Sequence, residues 1–370
     1  MVRLRATPED FQVTELALYE PCGEGEHLYL WVEKRDRTTE QVASLLARSA
    51  GVPSRDVGYA GRKDRRAVTR QWFSLPLRTG AEPPEVVGDG VCVLESRRHR
   101  HKLRTGHLTG NRFQLRLREV GEQAGHRATQ RLEALARYGF ANRFGQQRFG
   151  RAGDNQQAGA QIWRSGAVGR DRRAARFLLS AFQADVFNEV LEARARLVED
   201  AGSEPGSRAI DRLLLGDVAM VHASGGPFLV DDPAREQARA DAMEISPTGP
   251  IFGDRMRPAA GAVGELECRV LEARGIEAGK KLAGVRVPGT RRSLRARALG
   301  ASWTDEGQGV GLLEVTLEPG VYATTLLAEL FPEEQLVEGW AGTEAGAKDG
   351  GRTDGPGATG GAGSGTTGRT

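Results

Sequence analysis

The stretch GYAGRKDRRAVTRQWFS, residues 58 to 74, places one carboxylate, Asp64, among several basic side chains. The glycine-bounded text DVGYAG at 56 to 61 and the apolar text RQWFSLPL at 70 to 77 are both typical of extended segments. Asp64 is therefore predicted to lie in a loop between two strands. Such a placement suits a functional group, because rigid strands hold an exposed loop in position.

The segments on either side continue this mixture of strands and helices. HLYLWVEK at 27 to 34 alternates apolar and polar positions with a period of two, which predicts a strand. Thr38 and Gln41 form a capping box, and the helical spacing that follows ends at Gly51. GNRFQLRLREV at 110 to 120 predicts another strand, on which alternate residues share a face.

The rest of the chain gives further elements of both types. The predicted segments are a helix at 127 to 139, a long amphipathic helix at 173 to 199, a strand at 217 to 223, a turn-rich stretch SPTGPIFG at 246 to 253, strands in RRSLRARAL and GLLEVTLEPG from about 290, and a helix in YATTLLAELF.

The texture of the chain changes in its middle region. Residues 151 to 289 contain less strand-like sequence than either end, and strand-like sequence returns from about residue 290. We therefore expect an inserted domain, with residues 290 to 338 completing the sheet begun in residues 1 to 150. The Gly-rich tail at 339 to 370 has almost nothing to bury and is predicted to be disordered.

Composition limits the classes of protein. The chain has 370 residues, of which 39% are hydrophobic and 27% charged, without an apolar run near the roughly 18 residues of a membrane span. The N-terminus shows no signal-peptide pattern, so we expect a cytoplasmic protein that is not bound to a membrane. The cysteines, Cys22, Cys92 and Cys268, form no CxxC pair and are predicted to be reduced, structural thiols.

Basic residues cluster although the net charge is only +3. RRHRHKLR at 97 to 104 and the region from 151 to 176 are the main clusters. Clustering of this kind indicates a polyanionic partner, while the alternative is a set of solvated surface faces.

Asp64 has two interpretations. As a catalytic group it would be desolvated by a substrate, and Lys63, Arg65 and Arg62 would then oppose the rise of its pKa. As a structural group it would be a turn aspartate in a surface ion pair, worth roughly 0 to 1 kcal/mol. Lys63 also follows two glycines, but the spacing of a phosphate-binding P-loop is missing.

Two other motifs combine polar groups with rings. GNRF at 110 to 113 places Asn111 and Phe113 on one face of a strand, where Phe113 is either core or a stacking partner for a base. NRFGQQRFG at 142 to 150 repeats the element RFG, which fits either a pocket wall that contacts RNA or a packed turn.

Taken together, these motifs resemble those of the TruD family of pseudouridine synthases. The opening stretch is similar to the family signature AG-x-KD-[RK]-x-AVT-x-QW, and TPEDFQVTE at 7 to 15 is similar to PxDFxVxE. GNRF resembles the N-x-F motif, NRFGQQRFG the NYFG-x-QRFG motif, and PGVYATTLLAEL at 319 to 330 the PGSYATS-type motif. Arg5 stands where the family often has lysine, Arg143 replaces the tyrosine of NYFG, and Arg66 replaces a frequent histidine.

The resemblance implies an isomerase that converts a uridine of tRNA, typically position 13 in the D arm, to pseudouridine without a cofactor. It implies an α+β fold, in which a catalytic domain with a mixed, largely antiparallel sheet carries an inserted α/β TRUD domain facing the cleft. Asp64 would be the catalytic residue, no metal would bind, and tRNA would be the partner, with no obligate protein partner. The residues implied to bind substrate are Phe113, Asn111, Lys63, Arg5, Phe11 and Arg148.

Two alternatives belong to other classes. A non-catalytic RNA-binding module or RNA chaperone would use the same basic cleft, and only a map of modified uridines separates it from the enzyme. A metal-dependent phosphodiesterase built on Asp64 is disfavoured, because no companion carboxylates cluster near it in the sequence.

Overall fold

The computed structural model describes residues 1–78, 88–150, 152–200, 209–277 and 279–339. Of the tail predicted to be disordered, residues 339 to 370, Gly339 is described and its amide donates to the Leu4 carbonyl, while the rest lies outside the described residues. None of the helices within these ranges has the length and apolar character needed to cross a membrane.

The described residues form sixteen strands and seven α-helices. The strands are β1 Val2–Leu4, β2 Phe11–Ala17, β3 His27–Arg35, β4 Gly58–Tyr59, β5 Val68–Pro76, β6 Val91–His99, β7 Leu108–Arg118, β8 Phe140–Ala141, β9 Val218–Val221, β10 Pro227–Leu229, β11 Ile245–Ile251, β12 Thr290–Ser293, β13 Arg295–Ala296, β14 Leu299–Gly307, β15 Val310–Leu317 and β16 Leu336–Glu338. The helices are α1 Thr39–Ser49, α2 Glu122–Tyr138, α3 Asn155–Ser165, α4 Arg172–Asp200, α5 Pro233–Asp241, α6 Gly261–Ala273 and α7 Ala323–Leu330.

A ten-stranded sheet joins the beginning of the chain to its last strands. Its order is β14-β15-β7-β2-β5-β3-β6, with β1, β16 and β4 at its sides. The pairs β2–β5 and β1–β16 are parallel and the other pairs of this sheet are antiparallel. The fold is therefore α+β with a mixed, largely antiparallel sheet, which confirms the predicted class.

One face of this sheet carries two apolar clusters with polar side chains between them. The strands β7, β2 and β15 pack against α2 and α7 through one cluster, and β3 and β5 pack against α1 through the other. Strand register aligns Val13 with Thr69, and Thr69 with Lys34, so these residues share the face. Buried Thr69 and Lys34 thus lie in the gap between the two clusters.

The predicted helices agree with the structure to different degrees. Helix α1 begins after Thr38, whose side chain accepts a hydrogen bond from the Gln41 amide in a complete capping box. Helix α2 begins at Glu122, five residues before the predicted start at 127. Helices α3, α5 and α6 are not predicted from the sequence.

The predicted turn-rich stretch at 246 to 253 is wrong, because β11 is a regular strand there. Its first half, up to Pro247, pairs with β9, and its second half, from Thr248, pairs with β12. Each half has one ladder partner, so a proline without an N–H is accommodated on the side that has no ladder. The two prolines suggested turns because partner exchange within a strand is not visible in a sequence.

Helix α4 extends the predicted helix by one residue at each end and is packed on more than one side. Phe182 belongs to a cluster with α3 and the end of α6, whereas Phe187 belongs to another with Leu294. The central part of α4 is therefore buried against more than one neighbour, whereas its first turns are largely exposed. All three cysteines are free thiols, in agreement with the predicted reduced state, but they are exposed rather than packed as structural residues.

The domain division stays a prediction. Residues Met1–Gly339 form one compact unit. A second sheet has the order β10-β9-β11-β12; its first three strands lie in the region predicted to be inserted, but β12, Thr290–Ser293, follows that region. If this sheet defines the inserted domain, its boundary follows Ser293 rather than residue 289.

Candidate active site

Asp64 lies in the loop between β4 and β5, as the sequence predicts. The two strands are adjacent, with Gly58 opposite Ser74. Only glycine fits at position 58, because a Cβ there would lie 2.3 Å from the carbonyl oxygen of Leu103. The pairing of β4 with β5 and the close approach of Leu103 therefore fix the position at which the Asp64 loop begins.

Buried side chains of the protein interior hold the backbone of this loop in place. Gln71 Nε2 donates to the carbonyl of Gly61 at 3.0 Å, and the amide of Lys63 donates to Thr39 Oγ1 at 2.9 Å. Thr39 Oγ1 in turn donates to Gln71 Oε1 at 3.1 Å. Because Thr39 and Gln71 are both fully buried, the position of the loop is set by the interior of the protein.

Lys63 directs its ammonium into the protein. Its Nζ lies 2.5 Å from Glu15 Oε2, and the amide of Trp72 donates to the other carboxylate oxygen at 3.3 Å. Burial raises the pKa of Glu15, and the nearby ammonium of Lys63 opposes that rise. This buried pair engages the Lys63 charge before any substrate is present, and contact between Lys63 and substrate stays a prediction.

The two arginines next to Lys63 and Asp64 in sequence pair with other carboxylates. Arg62 Nε lies 2.5 Å from Glu40 Oε1, and Arg65 Nε lies 3.4 Å from Asp36 Oδ1. Each of these arginines has another carboxylate partner, and the predicted effect of the two on the desolvation of Asp64 stays a prediction. Adjacent residues of an extended loop project in different directions, so closeness in sequence does not set the ion pairs.

Arg5 is a cation that does reach the Asp64 carboxylate. Its Nη2 lies 3.5 Å from Asp64 Oδ1, its Nη1 lies 3.2 Å from Glu338 Oε1, and its guanidinium carbon is 3.9 Å from the centre of the Phe11 ring. The Arg5 backbone has φ of 55°, a left-handed conformation that costs of order 1 kcal/mol for a residue with a Cβ. The strained turn thus brings the guanidinium between Asp64 and an aromatic ring.

The Phe11 ring, which contacts Arg5 on one side, also contacts the Phe113 ring. Their ring centres are 6.1 Å apart and the planes are nearly perpendicular, the favoured edge-to-face arrangement. Phe113 is only 7% exposed and belongs to the apolar cluster under α2 and α7. In the protein without RNA, Phe113 is thus a core residue at the border of the site, and its stacking on a base stays a prediction.

Three polar atoms in this region are buried without a hydrogen-bond partner in the described part of the chain. They are Asn111 Oδ1, Thr69 Oγ1 and Arg5 Nε. Asn111 is aligned with Glu15 across β7 and β2, and therefore shares the sheet face of the Lys63–Glu15 pair. Because buried polar atoms are nearly always paired in folded proteins, such a group indicates a place where a ligand or water completes the bonding.

A second set of contacts joins the motifs NRFGQQRFG and PGVYATT through Arg292. Its guanidinium donates to the side chain and the carbonyl of Asn142 and, at 3.0 Å, to the carbonyl of Gly320. It also lies 4.2 Å from the centre of the Phe144 ring, which contacts the Tyr322 ring at 6.2 Å. Burial lowers the pKa of Arg292 to about 10, so the group remains charged at neutral pH. NRFGQQRFG and PGVYATT are therefore packed together.

Arg148 lies on the 3-10 turn Gln146–Phe149. Its guanidinium carbon is 5.8 Å from the centre of the Phe177 ring, and its Nε is buried with no hydrogen-bond partner within the described ranges. This unpaired donor is compatible with the implied contact to substrate, which stays a prediction for Arg148.

Sequence reasoning missed two buried charged residues of the site. Lys34 follows Leu30 and Val32 at the core-facing positions of β3, and Glu15 follows Val13 in the same way on β2. A charged residue in the apolar register of a strand is a signal that could have identified both.

The fold and the site define a class of protein: an α+β protein with a loop carboxylate beside cations, aromatic rings and unpaired polar atoms. The family model described as tRNA pseudouridine synthase D (TruD) matches residues 1–169 and 170–330. The chain belongs to the TruD family of tRNA pseudouridine synthases. Members of this family are isomerases that convert uridine in tRNA to pseudouridine.

Curated relatives and a solved structure agree with this assignment. The tRNA pseudouridine synthase D of Geobacter sulfurreducens is 38% identical, covering 88% of this chain and 93% of its own length. That of Anaeromyxobacter dehalogenans is 41% identical, covering 90% and 93%. The crystal structure of a Methanosarcina mazei protein assigned as TruD matches with a TM-score of 0.64 at 22% identity, over 89% of this chain and 93% of that one, which shows the shared fold.

Proposed function

We propose that the protein isomerises the uridine at position 13 of the tRNA D arm, with Asp64 as the catalytic carboxylate. The observation that carries the proposal is the pair of contacts made by Asp64: its carboxylate lies 3.5 Å from Arg5, and its carbonyl accepts a hydrogen bond from buried Lys34. When RNA excludes water from this site, desolvation favours the protonated acid, and the guanidinium of Arg5 favours the ionised form. An ionised carboxylate is the form that acts in the reaction.

The chemistry breaks one bond of uridine and makes another. The C1′–N1 bond is cleaved, the uracil turns within the site, and C5 is joined to C1′. A proton leaves C5 and N1 gains one, so that the product is an isomer and the reaction consumes no oxidant, reductant or group donor. Whether Asp64 attacks C1′ or removes a proton from the sugar, its ionised oxygen faces the ribose. The reaction requires no cofactor, and we expect turnover to be unaffected by EDTA.

Substrate binding would combine base flipping with contacts to the RNA backbone. Extruding the uridine from its stack costs a few kcal/mol. Stacking on an aromatic ring, for which Phe113 is the proposed residue, contributes about 1 to 3 kcal/mol. Asn111, Lys63, Phe11 and Arg148 are the other proposed substrate contacts, and contacts from basic side chains to phosphates would make binding salt-dependent.

The decisive test is a map of pseudouridines in a tRNA transcript before and after incubation with the protein. Wild type should modify position 13, and a transcript with cytidine at that position should remain unmodified. Asp64→Asn should bind the tRNA with unchanged affinity and form no pseudouridine, while Asp89→Asn, the same change at an exposed turn, should behave as wild type. Turnover by Asp64→Asn would exclude Asp64 as the catalytic residue. Binding of tRNA by the wild type without turnover would favour the alternative, a non-catalytic RNA-binding module.

The compartment and the partners follow from the substrate. A protein that acts on tRNA is expected where tRNA is abundant, so we propose the cytoplasm as its location. The reaction involves one RNA and one protein chain, and we propose that no obligate protein partner is required. Activity of the purified chain alone on a tRNA transcript would support this, and a requirement for cell extract would contradict it.

A further inference from the structure

Lys34 is a buried lysine whose ammonium joins two loops. It is fully buried near the end of β3, where it occupies the same sheet face as Val32. Its Nζ donates to the carbonyl oxygen of Arg37 at 2.7 Å and to that of Asp64 itself at 2.6 Å. One charged group thus connects the turn after β3 to the peptide of the proposed catalytic residue.

A lysine at this position needs an explanation. Burying an ammonium is costly unless it is well hydrogen-bonded, and its neighbours Leu30 and Val32 show that this register accepts apolar side chains. An apolar residue at position 34 would avoid the cost, but it would not bind the Asp64 carbonyl. The charge therefore serves a local purpose, and the bonded atom indicates that the purpose concerns the Asp64 loop.

We propose that Lys34 is a positioning residue that fixes the Asp64 peptide and so directs the Asp64 carboxylate toward the reacting nucleotide. This inference rests on the proposed role of Asp64. The ammonium of Lys34 bonds the Asp64 peptide directly, so we expect loss of that contact to let this part of the loop shift, while Thr39 and Gln71 still hold its earlier part. Displacement of a catalytic group by about 1 Å is enough to lower a rate by about 100-fold.

The groups around Lys34 make this contact sensitive to alkaline pH. Burial lowers the pKa of Lys34 to about 8, against the attraction of Asp64, Glu40 and Asp36, while the Lys63 charge lowers it further. Arg5 faces Asp64 from the other side, and Glu15 pairs with Lys63. Above this pKa the neutral amine makes weaker hydrogen bonds and no longer attracts the Asp64 carboxylate. Positioning is therefore complete below about pH 8 and weakens above it.

The test measures single-turnover rates of pseudouridine formation at saturating protein as a function of pH. The wild-type rate should fall as pH rises through about 8. Lys34→Met should bind tRNA with the wild-type Kd, react about 10- to 100-fold more slowly, and lack the alkaline fall. Lys34→Arg, which keeps its charge, should recover part of the rate and remain flat through this pH range. Using the same substrate throughout cancels any ionisation of uridine.

Lys280→Met is the matched control, because Lys280 lies in another part of the chain with its ammonium 5.8 Å from the Trp163 ring. It should keep the wild-type rate and pH profile. A folded Lys34→Met with the wild-type rate, or with a slower rate but the same alkaline fall, would overturn the proposal. If Lys34→Met does not fold, Lys34→Arg decides alone, since an unchanged alkaline fall in it also overturns the proposal. Asp64→Asn distinguishes failure of the proposed function from failure of this inference. If Asp64→Asn is inactive while the Lys34 variants match wild type, Asp64 keeps its proposed role and only the role of Lys34 is excluded.

Discussion

Buried charges occur in two regions of the protein, and their bonding differs. In the region of the four-stranded sheet, Arg291 makes two bonds of 2.7 Å to Glu267 and further bonds to the hydroxyl and carbonyl of Thr248. Arg194 likewise makes two bonds of 2.7 Å to Asp217 and donates to two carbonyls. Every nitrogen atom of these two guanidinium groups donates at least one hydrogen bond.

Around Asp64 the bonding is incomplete. Asn111 Oδ1, Thr69 Oγ1 and Arg5 Nε are buried without a hydrogen-bond partner among the described residues. A buried polar atom that is left unpaired costs about 1 to 3 kcal/mol, so the folded protein retains such atoms at a cost to its stability. The contrast indicates that the charges near the four-stranded sheet serve the fold, whereas the polar atoms near Asp64 are arranged for RNA.

The largest expected effect comes from breaking a fully bonded charge. Arg291→Met would leave Glu267 buried without its partner, which typically costs about 3 to 5 kcal/mol of stability. Urea unfolding monitored by tryptophan fluorescence should show this loss. Turnover of the fraction that remains folded should be close to wild type. An unchanged unfolding midpoint would show that the pair does not stabilise the fold.

An intermediate effect is expected at the border of the active site. Phe113→Leu should reduce turnover by about 5- to 150-fold, because it removes a stacking energy of about 1 to 3 kcal/mol. The control is Phe252→Leu, the same change in the buried cluster near α4. Both variants should lose a similar, small amount of stability, but only Phe113→Leu should lose turnover. Equal turnover in the two variants would leave Phe113 as a core residue only.

The smallest effect concerns acid sensitivity near the four-stranded sheet. His222 Nε2 lies 2.8 Å from Ser246 Oγ, and burial lowers the pKa of His222. The unfolded chain therefore binds the proton more readily, so this group removes stability as pH falls through its unfolded value of about 6.5. His222→Gln should reduce the loss of unfolding free energy between about pH 7.5 and 5.5, by at most about 1.4 kcal/mol per pH unit.

An identical pH slope in His222→Gln and wild type would contradict this assignment. The two regions should therefore respond to pH in different ways. Near the four-stranded sheet, acid pH should lower the stability through His222, whereas near Asp64, alkaline pH should lower turnover through Lys34.

Much of the fold around Asp64 could be predicted because the signals are local. The capping box at Thr38 and the period of two in β3 and β7 each depend on a few adjacent residues. The loop position of Asp64 follows from the strands that flank it. The partner exchange of β11 was not predictable in this way, because it depends on neighbours that are 24 or more residues away in the chain.

The site itself could be predicted only in part. Asp64 was identified from its motif, but its partner Arg5 lies 59 positions earlier and reaches it through a left-handed turn that no local pattern announces. The arginines adjacent to Asp64 were the obvious candidates, and they pair elsewhere. Lys34 and Glu15 carried a sequence signal, a charge in the apolar register of a strand, but their bonds to the Asp64 carbonyl and to Lys63 depend on the tertiary structure.

The most direct measurement of the central claim compares two asparagines. Asn111 has an unpaired buried Oδ1, whereas Asn142 donates to the Ser293 carbonyl at 2.9 Å and accepts from Arg292. Unfolding free energy and single-turnover rate should be measured for Asn111→Ala and Asn142→Ala. We predict that Asn111→Ala keeps or gains stability and reacts at least about tenfold more slowly, while Asn142→Ala loses about 1 to 3 kcal/mol. Loss of stability in Asn111→Ala at an unchanged rate would contradict the account.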